Sequence, residues 1–111
     1  MQLAIPTTAR QRRQSQVWLA LLEQHGTSPE ISQTLTDLNR EVRSGVRTVL
    51  AALAANGFVA ASRDLDEEAA KFHAVIDGLS LQSLTDPKTA PPALVEQVIT
   101  AMIADLGRPA K

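Results

Sequence analysis

The chain has 111 residues, of which 44% are hydrophobic and only 3% aromatic, with no cysteine and a formal net charge of −1. A disulfide framework and a thiolate metal site are therefore excluded, and the near-neutral charge argues against nucleic-acid binding by this segment. No apolar run is long enough to span a membrane, and the N-terminus lacks the apolar region of a signal peptide. We expect one cytoplasmic, all-α domain with no membrane partner, large enough to bury roughly two-thirds of its unfolded surface.

The N-terminal part predicts a short tail followed by a first helix. Residues 1–6 form the tail, because Pro6 interrupts the chain before Thr7 or Thr8 can cap a helix. This helix runs to about His25 and is apolar almost all round between residues 17 and 22, which is typical of a helix that ends in a core. Gly26 ends the helix, and we interpret His25 as complementing the helix dipole rather than as a chemical group.

A long second helix is predicted from Pro29 to Asn56. Ser28 is a favourable N-cap, Pro29 suits the first helical position, and Gly57 suits the C-terminal end. The apolar residues that recur at steps of three and four, and so should face the core, are Ile31, Leu35, Leu38, Val42, Val46, Val49 and Leu53. Gly45 interrupts this helix at a cost of about 1 kcal/mol relative to Ala. That leaves open a close helix crossing, a bend, or wall space for a ligand.

Three arginines share one edge of the second helix. Arg40, Arg43 and Arg47 follow each other at steps of three and four, with Asp37 and Glu41 close enough along the helix to form ion pairs. We interpret this edge as a solvated face.

The segment after the second helix is predicted to fold back on the end of that helix and then to start a third helix. We expect Phe58 and Val59 to fold back on the helix end, as the residues after a helix-terminating glycine do. Asp64 and Glu67 have a spacing like that of a capping box and lead into the third helix.

The third helix, over residues 66–84, carries two stripes on opposite sides. The core-facing stripe consists of Leu65, Ala69, Phe72, Ile76 and Leu79. The opposite stripe begins with three small residues spaced four apart and consists of Ala70, Ala74, Gly78 and Leu81. Glu68, Lys71 and Gln82 leave only a narrow polar edge, so we expect this helix to be wedged between its own domain and a second partner.

The last helix opens at Pro91-Pro92 and runs to about Leu106, before Gly107. Its apolar residues cover an arc of about 200°, wider than the single stripe of a surface helix. This helix therefore also needs two packing partners. We divide the chain into residues 1–6 as a tail, 7–107 as one helical domain, and 108–111 as a C-terminal tail.

The order and spacing of these features resemble the C-terminal regulatory domain of TetR-family transcriptional regulators, and most of all the BetI-like type. The resemblance covers about residues 6 to 106. The features that carry it are Trp18 in an apolar helix, the long helix of residues 29–56, Gly57, Asp64-Leu65-Asp66, Ala70, Asp77-Gly78-Leu79 and the proline-started last helix.

The resemblance implies an antiparallel bundle of four main helices that senses an effector and forms a homodimer. It also implies that the last two helices pair with their symmetry mates. Members of the family carry a helix-turn-helix domain of about 50 residues ahead of this region, and the residues before Thr8 are too few to form one. We therefore expect this chain to be part of a longer repressor, or a freestanding piece, that makes no nucleic-acid contact itself.

His73, Asp77 and Ser80 share one helix edge, which places a base, a carboxylate and a hydroxyl near each other as in a catalytic triad. A serine nucleophile needs converging oxyanion donors, whereas backbone N–H groups in mid-helix are used inside the helix. We expect no enzyme, and a structural or interfacial pair between His73 and Asp77. The sequence shows no metal-ligand set and no glycine-rich phosphate loop, so we expect no cofactor.

A pocket between helices is the remaining candidate for a ligand site. Its predicted lining is Trp18, Leu22, Val42, Gly45, Val46, Phe72 and Ile76, which would suit a small apolar or amphipathic effector. The alternative is that these residues simply fill the core.

A homodimer interface is predicted on the third and last helices, because both carry more apolar surface than one neighbour can cover. The residues expected there are Ala70, Ala74, Gly78, Leu81, Val98 and Met102. The alternative function is a helical dimerisation or protein-interaction module that binds no effector.

Overall fold

The computed structural model describes residues 28–110 and seven residues nearer the N-terminus: Ala9, Arg10, Arg13, Gln16, Val17, Ala20 and Glu23. Three helices follow Ser28, namely α1 (Pro29–Ala55), α2 (Leu65–Thr85) and α3 (Pro92–Asp105), and the described residues contain no strand. The all-α expectation is therefore confirmed. The seven earlier residues are helical and exposed. Most of the predicted first helix lies outside the described residues, so a bundle of four helices stays a prediction.

The N-caps predicted at Ser28 and Asp64 are both present, whereas Thr7 and Thr8 lie outside the described residues. The Ser28 hydroxyl accepts the backbone N–H of Ile31 at 3.3 Å, and Pro29 occupies the first turn of α1. The Asp64 carboxylate accepts the backbone N–H groups of Asp66 at 2.8 Å and Glu67 at 3.1 Å. These caps satisfy N–H groups that have no partner inside the helix, and each is worth about 1 kcal/mol.

α1 is followed by the C-cap residue Asn56 and then by Gly57, whose φ of 81° lies in the left-handed region. The N–H of Phe58 donates to the carbonyl of Leu53 at 3.0 Å, and the N–H of Gly57 donates to that of Ala54 at 3.1 Å. This pair of bonds is the Schellman arrangement expected after a helix that ends at glycine. Val59 packs on the core as predicted, but the prediction for Phe58 was wrong, because its side chain is 62% exposed.

Two apolar clusters hold the helices together. The larger one joins α1 and α2 to the residue that follows α3, and consists of Val46, Leu50, Ala69, Phe72 and Leu106. The smaller one consists of Leu79, Ala90 and Val95 and joins the second half of α2 to the start of α3. The predicted core stripe of α2 is confirmed, since Ala69, Phe72 and Leu79 are buried.

The core face of α1 differs from its prediction at one turn. Val49 was expected in the core but is 48% exposed, whereas Leu50 is only 2% exposed. Both positions continue a pattern of steps of three and four from Val46, so the periodicity alone does not separate them. The direction from which α2 and α3 pack on α1 decides between the two.

A buried ion-pair network ties the start of α2 to the end of α3. Arg63 donates to the carboxylate of Glu68 at 3.2 Å, to that of Asp105 at 3.1 Å, and to the carbonyls of Asp105 at 2.6 Å and Arg108 at 2.8 Å. Glu68 was predicted on an exposed polar edge but is 6% exposed. Its burial is tolerated because the Arg63 guanidinium and the ammonium of Lys71, at 3.3 Å, neutralise the carboxylate.

Candidate functional site

An open groove of about 760 Å³ runs between α1 and α2. We call it the α1–α2 groove. The side chains that line it from α1 are Asn39, Arg40, Arg43, Ser44 and Arg47, and those from α2 are Asp66, Ala69, His73, Ala74 and Asp77. Most of these residues are polar or charged, so the groove is suited to a hydrated or charged partner.

The arginine edge of α1 faces this open groove, and the predicted solvated face is confirmed, since Arg40 and Arg43 are exposed. The pairs expected along the helix itself are not the ones that form. The Nε–H of Arg43 donates to Nδ1 of His73 at 3.0 Å, and the Nε–H of Arg47 donates to the Asp66 carboxylate at 2.8 Å. Asp37, one of the acids expected to pair with this edge, accepts instead from the amide of Gln33 at 2.9 Å. Only the predicted pairing was wrong, because α2 supplies partners across the helix interface, which the spacing within α1 cannot reveal.

His73 is buried in the wall of the groove, with 5% of its surface exposed. Because Nδ1 accepts from Arg43, the neutral imidazole carries its proton on Nε2. Nε2 lies 3.3 Å from the carboxylate of Asp77, which confirms the predicted pair as a contact. The contact lacks hydrogen-bond geometry, and Nε2 has no hydrogen-bond partner among the described residues.

Asp77 is half-buried beside this imidazole. Burial raises the pKa of its carboxyl above the ordinary value, and the attraction of His73 and Arg43 only partly opposes that effect. Ser80, the third member of the catalytic arrangement that was weighed, is half-buried and makes no hydrogen bond to a described side chain. Ser80 therefore does not complete a hydrogen-bonded arrangement with His73 and Asp77.

The predicted apolar pocket corresponds only in part to a cavity. A cleft of about 110 Å³ lies among the three helices and includes Val46, Phe72 and Ile76 from the predicted lining. Val42 packs against the larger apolar cluster, and Gly45 is half-buried within an unbroken helix. Trp18 and Leu22 lie outside the described residues. A cleft of this size holds only a few non-hydrogen atoms, since pockets for drug-sized ligands measure about 300–1,000 Å³.

The residues predicted at a dimer interface lie in two kinds of environment. On α2, Ala74 is exposed, Leu81 is 46% exposed, and a Cβ added to Gly78 would meet no atom within 4 Å. Ala70 is half-buried. On α3, the side chains of Val98 and Met102 are half-buried and pack against the core of their own chain.

Two further features, a metal-binding group and a membrane-spanning helix, are absent from the described ranges. No group of three or more histidine, aspartate or glutamate side chains there could hold a metal ion. No helix in the same ranges is long and apolar enough to cross a membrane.

One family model matches almost the entire chain. It describes the C-terminal domain of BetI-type transcriptional repressors and matches residues 1–108 of the 111. Comparison with curated proteins and with solved structures gives no significant match. The family match and the all-α fold agree with the resemblance drawn from the order of sequence features. The chain belongs to the BetI-type C-terminal regulatory domains of the TetR family of transcriptional regulators.

Proposed function

We propose that this chain is the effector-sensing and homodimerisation domain of a transcriptional repressor whose DNA-reading domain lies outside these residues. The observation that carries the proposal is the family match over residues 1–108. In the proposed mechanism, an effector that binds one arrangement of the dimer more tightly than another favours one spacing of the two DNA-reading domains. Regulation then requires two things of this chain, a dimer interface and a ligand site.

The small-residue stripe of α2 supports the dimer interface. Ala74 is exposed and Gly78 has open space above it, so a second helix can approach the backbone there. Leu81 extends the stripe with 46% of its surface exposed. A symmetric partner that packs its own stripe against this one would remove these apolar atoms from water.

α3 would contribute the second half of the interface. Leu94 and Ile103 are 37% and 43% exposed, so both have apolar surface that a partner helix could bury. Val98 and Met102 lie at the border between the core of the chain and the proposed interface, because each is half-buried by its own chain. Pairing α2 and α3 of both chains gives the four-helix interface that we propose.

Of the two requirements, a ligand site in the apolar interior has the weaker structural support. Its cleft of about 110 Å³ is small for an effector, which favours a second candidate function, a helical dimerisation module that binds no effector in its interior. The two candidates share the dimer and differ only in the ligand.

The dimer is tested with Gly78→Arg, because an arginine there inserts both volume and an unpaired charge into the proposed interface. We expect dissociation to be favoured by about tenfold or more, equivalent to about 1.4 kcal/mol. Ala51→Arg, at an exposed position of α1, is the matched control and should leave association unchanged. The measurement is sedimentation velocity at tens of micromolar. A monomeric parent chain would overturn the proposal, and an unaltered Gly78→Arg dimer would place the interface on another face.

A further inference from the structure

The α1–α2 groove contains a buried donor that the chain leaves unused. His73 is 5% exposed, and its hydrogen bond from Arg43 fixes the imidazole proton on Nε2. That Nε2–H makes no hydrogen bond to a described residue, although the Asp77 carboxylate is 3.3 Å away. Buried polar groups are nearly always hydrogen-bonded, so an unused buried donor in a groove wall indicates a missing acceptor.

Further donors line the same groove. The guanidinium of Arg40 makes no hydrogen bond or ion pair within the described part of the chain, and Arg43 uses only its Nε–H there. Two parallel N–H groups of a guanidinium match the two oxygens of a carboxylate or a phosphate. The donors of the groove are therefore of the kind that binds an oxyanion.

The charge of the groove favours an anion as well. Arg40, Arg43 and Arg47 outnumber the two carboxylates that line it, so with His73 neutral the net charge is +1. The Asp66 carboxylate is already engaged by Arg47 at 2.8 Å. Asp77 opposes an anion, but 45% of its side chain is exposed, so its carboxylate can turn toward solvent when another acceptor takes the Nε2–H.

We propose that the α1–α2 groove binds a small anion through a carboxylate or phosphate head group, held by His73 Nε2–H and by the guanidinium groups of Arg40 and Arg43. The inference rests on the proposed function in one respect, that this anion is the effector. The proposed effector site is then a polar groove of about 760 Å³, and not the nearly filled apolar interior. Ala74, which belongs to the proposed dimer interface, also lines this groove, so a bound anion would lie beside the contact between the two chains.

The experiment is calorimetric titration of the 111-residue chain with four probes: benzoate, phenyl phosphate, inorganic phosphate and the neutral isostere benzamide. We expect benzoate or phenyl phosphate to bind at least about tenfold more tightly than benzamide, because only the anions carry a charge opposite to that of the arginines and offer a guanidinium more than one acceptor oxygen. Tight binding of inorganic phosphate alone would also support the site and would identify free phosphate as its occupant. Binding should weaken with added salt.

Three variants test the residues. Arg40→Gln should weaken anion binding about tenfold without affecting folding, because Arg40 has no partner among the described residues. Arg43→Gln should weaken it at least as much, and circular dichroism will show whether that variant folds. If Arg43→Gln does not fold, the affinity of Arg40→Gln alone decides whether the arginines of the groove bind the anion. Arg108→Gln, whose exposed side chain makes no bond to a described residue, is the matched control and should bind like the parent.

Three results would overturn the inference: a benzamide affinity equal to that of the tightest-binding anion, equal loss of binding in Arg40→Gln and Arg108→Gln, or no binding of any anion at millimolar concentration. Sedimentation of the same samples separates this inference from the proposed function. A dimer that binds no anion would overturn only the anion site. A monomer that binds benzoate through Arg40 would keep the site and overturn the proposed dimer.

Discussion

At the scale of single residues, Arg43 and His73 show how one side chain selects the tautomer of another. The hydrogen bond from Arg43 Nε–H occupies Nδ1, so the neutral imidazole presents Nε2–H to the groove. Asp77 lies next to that donor, and burial raises the pKa of its carboxyl. The folded protein therefore holds a proton on Asp77 more tightly than the unfolded chain does. The ionised carboxylate lowers stability at neutral pH, and this cost disappears as the pH falls through the raised pKa toward 3.8.

The variant Asp77→Asn tests whether the ionised Asp77 carboxylate lowers the stability of the folded protein. We expect the variant to be more stable than the parent at pH 7 by less than about 1 kcal/mol, since a half-exposed group is screened by solvent. The difference should shrink as the pH falls through the raised pKa and should vanish only below the ordinary value of 3.8, where Asp77 of the parent is protonated in both states. Urea unfolding followed by circular dichroism at several pH values measures it. Glu41→Gln, at an exposed position of α1, is the control. A less stable Asp77→Asn at pH 7 would show that attraction to His73 outweighs burial.

At the scale of secondary-structure elements, α3 depends on polar contacts as well as on apolar ones. Leu106, which follows α3, is 1% exposed and packs in the larger cluster with Val46 and Phe72. The N–H of Ala60 donates to the carbonyl of Leu106 at 2.8 Å, and Arg63 bonds the carbonyls of Asp105 and Arg108. Arg63 thus satisfies carbonyl groups at the C-terminal end of α3 that have no partner inside the helix.

Arg63→Ala should lower the melting temperature by about 5 °C or more, because it leaves Glu68 buried with a single exposed partner and frees the carbonyls at the end of α3. Lys71→Ala removes the other partner of Glu68 and is the control. We expect it to have little effect, since the Lys71 side chain is 62% exposed and Arg63 remains in place. Thermal unfolding measures both variants. An equal loss of stability in the two would contradict a special role for Arg63.

At the scale of the whole molecule, the described chain leaves apolar side chains in water on both α2 and α3. Leu81 and Ile103 are 46% and 43% exposed, although the helices that carry them also build the core. A helix that is apolar on two sides is stable when both sides are covered, and in the proposed dimer a second copy of the chain would cover both helices at once. Stability and association are then linked, because the folded dimer is favoured by mass action.

Linked folding and association make the melting temperature depend on protein concentration. We expect it to rise when the concentration of the parent chain is increased a hundredfold, and to rise less in Gly78→Arg, whose dimer is weaker. Differential scanning fluorimetry across the concentration range measures the shift, with Ala51→Arg as the control. A melting temperature that is independent of concentration in the parent would contradict a dimer coupled to folding.

The sequence by itself determined the features that depend on neighbours along the chain. Ser28, Asp64 and Gly57 mark helix ends because capping involves only residues within one turn. The core stripe of α2 follows from the same local periodicity, and so does the pair of His73 and Asp77, which are four residues apart.

Only the tertiary structure decided the features that depend on which helix faces meet. Leu50 took the core position expected for Val49, because the direction of packing selects between two neighbouring positions. Glu68 could be buried because Arg63 neutralises it there. Arg43 and Arg47 pair with His73 and Asp66 of α2, and not with acids of their own helix, because the packing of α2 on α1 brings those groups within hydrogen-bond distance. Periodicity shows that a helix has faces, whereas the partner of each face is set by contacts between residues far apart in the chain.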